Sequence, residues 1–144
     1  MNTNEVLKSL REYLDSNKQS LIATQSRWIK LTNEFIDILD DEEPHPEHFT
    51  HHLIYPAEGF QKGIIIHNFV SNIIRRLEPL VDKEQEFLTQ LTFEYEKLKD
   101  YVLRHGSRNC YHSDVYYFGA TARVARILED KIKKLSTKES KNGR

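Results

Sequence analysis

The stretch RHGSRNCYHSD, residues 104–114, gathers two arginines, two histidines, a tyrosine and the only cysteine of the chain into eleven positions. An arginine can hold a phosphate through paired N–H donors. A histidine, whose ordinary pKa is close to neutral, can give or take a proton. The chemistry these residue types offer is therefore that of a phosphate-binding or RNA-cleaving corner. A purely structural account stands beside it. Arg104 and His105 fall where a helix should end, and the helix dipole and free carbonyls favour cations there. Cys110 and Tyr111 can plug the base of a core.

Within this stretch, Arg108-Asn109-Cys110-Tyr111-His112 resembles the motif of HEPN domains. These are helical bundles, often metal-independent ribonucleases, with an Arg, a polar residue and a His near the start of a late helix. The resemblance implies that Arg108 clamps phosphate, His112 does acid–base work and Asn109 orients the pair, with two copies joining their motifs. It covers about five residues. The family spaces its pair by more than the three residues between Arg108 and His112, and by fewer than the seven between Arg104 and His112.

Two further constellations carry chemistry. His45, His48, His51 and His52, with Glu47 among them, lie in one proline-containing segment. His48 and His51 could present two imidazoles on one side of a turn, as a zinc pair does, but a solvated loop explains them as well. No cofactor motif accompanies them: there is no glycine-rich phosphate loop, no GxSxG, no Walker lysine and no HExxH. Arginines form the other group. Arg75 and Arg76 end the second helix, and Arg123 and Arg126 are three apart on a late helix. With Arg104 they could follow a nucleic-acid backbone. Ordinary solubilising charge, paired with Glu129 and Asp130, is the alternative.

The elements that must position these groups are helices. Leu7, Leu10, Leu14, Leu21, Trp28, Leu31, Phe35 and Ile38, with polar Asn17 and Thr24 filling the gaps, alternate in steps of three and four. That heptad seam predicts one helix over about 4–41, on the order of 55 Å long. Asn17 and Thr24 mark either a bend or a register-setting position in an intermolecular coiled coil. Three prolines in residues 42–60 predict a loop, with Phe49, Leu53, Ile54, Tyr55 and Phe60 tucked under it. A second helix over 61–78 is the most apolar element and should be central. His67 on it reads as a half-buried core histidine. Asp82 with Gln85 resembles a capping box and opens a third helix over 83–104, which Gly106 would end in left-handed geometry. Ser113 or Asp114 would cap a fourth over 114–136, whose small run Gly119-Ala120-Thr121-Ala122 should admit a close neighbour. Residues 1–136 would form the single domain and 137–144 a flexible tail.

Bulk composition agrees with this. Charged residues are 30% and hydrophobic residues 38%, which suits long helices with one buried stripe. The net charge is −1, so no overall field draws nucleic acid or anionic lipid. Charge is nevertheless uneven: residues 33–60 hold eight Asp or Glu and no Lys or Arg, whereas 123–144 hold eight Lys or Arg and three acids. One cysteine excludes an intramolecular disulfide. The longest apolar run is Ile64-Ile65-Ile66, so no membrane span is expected, and a reducing cytoplasm is the default compartment. The expected fold is all-α, a four- to five-helix bundle with a long N-terminal helix. That helix outruns its partners, so Leu7, Leu14, Leu21 and Trp28 are expected to dock on a second copy or on a partner protein. A non-catalytic adaptor is the function class expected first. A HEPN-like ribonuclease and a nucleic-acid-binding subunit of a larger assembly are the alternatives.

Overall fold

The computed structural model describes residues 1–37, 55–106 and 112–142. They form four helices: α1 (Thr3–Asp37), α2 (Tyr55–Leu77), α3 (Glu84–His105) and α4 (His112–Asn142). A single 3-10 turn, Glu78–Leu80, joins α2 to α3. The chain is all-α with a long N-terminal helix, as its periodicity predicts. α1 and α2 run antiparallel, Arg11 reaching Glu78 and Asn17 reaching Gly63, and so do α3 and α4, with Tyr101 against Tyr117 and Tyr95 against Glu129.

α1 starts at an Asn2 cap. The Glu5 backbone N–H donates to the Asn2 side-chain oxygen at 2.8 Å, and the Asn2 amide donates back to the Glu5 carboxylate at 3.1 Å. This satisfies groups that a helix start otherwise leaves bare. Thr3, buried, donates its hydroxyl to the Val81 carbonyl at 2.7 Å and so pins α1 to the α2–α3 connection. α2 begins at Tyr55, inside the segment expected to be a loop. Pro56 is no obstacle there, because the first turn of a helix has no use for the missing N–H. Pro79 sits at the start of the 3-10 turn and stops α2 as expected.

Three local expectations are corrected. Lys83, not Asp82, precedes α3, and no side chain caps it; Glu84 and Glu86 instead place negative charge in the first turn. Gly106 closes α3 in right-handed geometry, with φ −68°, its N–H bonded to the Val102 carbonyl, so no left-handed stop is used. α4 runs on to Asn142, past the expected end at 136.

The core lies where α2 packs against all three other helices. Ile66, Val70, Ile73, Ile74 and Leu77 of α2 meet Val6, Leu7 and Leu10 of α1, Phe87, Leu91 and Leu98 of α3, and Val124, Leu128 and Leu135 of α4. α1 is buried only through its first half. From Leu21 onward no described side chain of α1 is fully buried, because among the described residues α2 is the one extensive neighbour of α1.

Two glycines on α2 separate packing from propensity. A Cβ on Gly63 would fall 2.5 Å from Cδ2 and 3.3 Å from Cγ of Leu21, whereas one on Gly59 would meet nothing within 4 Å. Gly59→Ala is therefore expected to stabilise by about 0.5–1 kcal/mol through helix propensity. Gly63→Leu is expected to cost about 1–3 kcal/mol by forcing α1 from α2. Thermal melts of the two variants would show opposite shifts.

Candidate functional site

The candidate site is the outward half of α1 and the start of α2. Trp28 and Ile29, with Thr24 and Gln25, form one wall of an open apolar groove of about 350 Å³; Ala57 and Phe60 of α2 form the other. Along the same helix, Ile22, Ile29 and Ile36 stay 45%, 50% and 63% exposed, and Trp28 41%. The three isoleucines are seven residues apart, the pitch at which a helix keeps one stripe against another. Burying such a side chain is favourable by about 1.5–3 kcal/mol, so leaving four large ones partly in water is a cost unless something covers them.

The expected docking residues divide. Leu7 is in the core of its own chain and Leu14 packs partly buried against it, so neither presents a docking surface. Leu21 covers Gly63. Trp28 alone of the four is exposed. The polar seam positions also act within the chain. Asn17 donates to the Gly63 carbonyl at 2.9 Å, and Thr24 returns its hydroxyl to the Ser20 carbonyl at 2.9 Å. Asn17 thus ties α1 to α2 within the chain. Sequence reasoning missed the Ile22-Ile29-Ile36 stripe because it runs one position beside the seam; its heptad spacing was the available signal.

Arg76, Arg123 and Arg104 are each engaged by a different partner. Arg76 faces α3, where its guanidinium forms a two-pronged ion pair with Glu94, the second contact 3.0 Å long. Glu94 is only 2% exposed and also receives the Gln90 amide, with Lys97 at 3.3 Å. Burial pushes this carboxyl up, but the hydrogen bond and charge of Arg76, with Lys97 and Gln90, outweigh burial and hold it below its ordinary value. A charged residue on the inward face of α3 is invisible to a hydrophobic pattern. Arg123 faces the other way, donating to the Tyr13 hydroxyl of α1 at 3.1 Å. Arg104 pairs with Asp100 on its own helix, and Arg75 and Arg126 are exposed. The basic run of α4 is largely answered in place: Lys133 pairs with Glu129, and Lys131 and Lys134 with Asp130. The hydrogen bonds from Lys133 and Lys134 hold these two carboxyls below their ordinary values.

Arg108 and Asn109 of the 104–114 corner lie outside the described residues, as do His45, His48, His51 and His52. His112 is the first residue of α4, and its side chain also lies outside them. Beside the corner, Tyr101 stacks on His105 with ring centroids 4.2 Å apart and meets Tyr117 edge-on at 5.0 Å; Tyr117 in turn meets Phe69 at 5.4 Å. His67 is half-buried, and its Nδ1 is buried without a hydrogen-bond partner among the described residues. Among the described residues, no group of three or more His, Cys, Asp or Glu could hold a metal ion. No helix among them is long and apolar enough to cross a membrane. No protein-family model matches the chain, and neither a characterised protein nor a solved structure matches it.

Proposed function

We propose that the protein is a non-catalytic helical adaptor that docks through the outer half of α1, and that a second copy of the chain is its first partner. The observation that carries this reading is the heptad-spaced stripe Ile22-Ile29-Ile36 beside the Trp28 groove, left uncovered by the described residues. The stripe is symmetric about Ile29. Two copies laid antiparallel bring Ile29 to Ile29 and Ile22 to Ile36, the self-complementary contact that a two-fold dimer requires. Tryptophan beside such a contact is a common energetic anchor, worth about 2 kcal/mol or more when truncated.

Light scattering across a dilution series tests this. The wild-type chain is expected to show a concentration-dependent mass above that of one chain. Ile29→Asp is expected to weaken association by at least about thirtyfold, with helicity unchanged. A wild-type chain that stays monomeric at about 100 μM, corresponding to less than about 5–6 kcal/mol of association, counts against the reading.

A further inference from the structure

A second cleft, of about 300 Å³, opens where α1, α2 and α4 meet. Its α1 wall carries Tyr13, Ser16, Asn17 and Ser20; α2 contributes Lys62, and α4 contributes Arg123. Gly59 and Gly63 keep the α2 side low. No acidic residue lines it, and neither Lys62 nor Arg123 makes an ion pair among the described residues. Glu58, one turn before Lys62, is engaged by the Tyr116 hydroxyl.

The two cations are brought together by the fold. Lys62 lies across α4 at Gly119, its Cε and Nζ 3.4 Å and 3.5 Å from where a Cβ would stand on that glycine. Gly119 and Arg123 are four residues apart and so share one face of α4. A side chain at 119 would displace the lysine from that face. Arg123 is steadied through its Nε, which donates to Tyr13; its terminal nitrogens keep their donors. A planar fork beside a point charge is a phosphate-binding arrangement. Opposite them stand two serine hydroxyls and an amide oxygen, groups suited to the hydroxyls of a sugar or polyol. The volume is at the small end of ligand pockets, which run from about 300 Å³ upward.

We propose that this cleft binds a small phosphomonoester of a sugar or polyol: Arg123 and Lys62 hold the phosphate, and Ser16, Ser20 and Asn17 take the hydroxyls. The site is separate from the docking stripe. Ile29→Asp should therefore bind the ester as wild type does, whatever its effect on self-association.

The test is an amide NMR titration with ribose 5-phosphate, with ribose and vesicles carrying phosphatidic acid as separate arms. Saturable shifts are expected at residues of the 13–20, 59–63 and 119–123 turns. Affinity should fall at least about tenfold in Arg123→Gln and in Lys62→Gln. Gly119→Leu should weaken binding similarly although it removes no charge, and it keeps the test open if Arg123→Gln loses helicity. Absence of saturable shifts up to about 10 mM, weaker than about 3 kcal/mol of binding, overturns the proposal. So do equal shifts with ribose alone, shifts that survive all three substitutions, or binding only to the vesicles.

Discussion

Leu10→Ala should lower the unfolding free energy by about 2–5 kcal/mol, while Ile29→Ala, on the same helix, should change it by no more than about 0.5 kcal/mol. Both residues are aliphatic and both lie on α1, so composition and propensity do not separate them. Their surroundings do. Leu10 is fully enclosed by its own chain, and its truncation removes buried methyl groups and leaves a cavity that rigid helices cannot close. Ile29 is half in water and loses little on truncation. Against a total stability of about 5–15 kcal/mol for a domain, the first change is severe and the second negligible. Urea unfolding followed by circular dichroism, at a concentration where the chain is monomeric, measures both. Comparable losses at the two positions would mean that the outer half of α1 is covered within a single chain. That would remove the reason for assigning it a docking role. Followed by Trp28 fluorescence, the same titration should show the outer half of α1 loosening earlier than the rest, because few contacts hold it.

Arg76→Ala is expected to cost about 3 kcal/mol, more than Glu94→Gln, although both break the same ion pair. The asymmetry comes from burial. The Arg76 side chain is 46% exposed and can turn to water when Glu94 is neutralised. Glu94 is enclosed, and without Arg76 it keeps only Lys97 and Gln90. A buried carboxylate stripped of its main partner is the costly case. Replacing both, as Arg76→Met with Glu94→Leu, should recover most of the loss, since an apolar pair of similar volume has no charge to strand.

The pH dependence follows from the same pair. The folded-state pKa of Glu94 lies below its ordinary value of 4.5. Its contribution is therefore complete above the unfolded carboxylate pKa and is lost as pH falls through the lower folded value. In Arg76→Ala the main lowering partner is gone, and only Lys97 and Gln90 remain against burial, so the carboxyl lies higher than in wild type. Protonation is then easier in the variant, and the stability gap to wild type should narrow as pH falls through the carboxylate range. A gap that widens on acidification would show that Arg76 is not what holds Glu94 ionised.

Much of the helical layout is legible in the residues. Steps of three and four from Leu7 through Leu31, the central β-branched stripe of α2 and the break at Pro79 follow from side-chain period and proline chemistry, which act locally. Local signals failed where two solutions cost about the same. Asp82 and Gln85 spell a capping box, yet α3 starts after Lys83. A glycine stands where a left-handed stop was expected, yet Gly106 is right-handed. Pro56 marks a helix start as readily as a loop. At the candidate site, the spacing of Ile22, Ile29 and Ile36 was readable, but their exposure was not. Exposure depends on how far α2 reaches along α1, and no pattern within α1 records that.

The amino-acid sequence by itself determined that this chain is helical, where its apolar stripes run and that its first helix is the longest, because these depend on neighbours within a few residues. Only the tertiary structure decided which half of that helix is enclosed. It also turned Glu94 inward onto Arg76, and set Lys62 across Gly119 on the same face as Arg123. Each of these joins residues from different helices, and their meeting is fixed by the packing of whole elements, not by the spacing within any one.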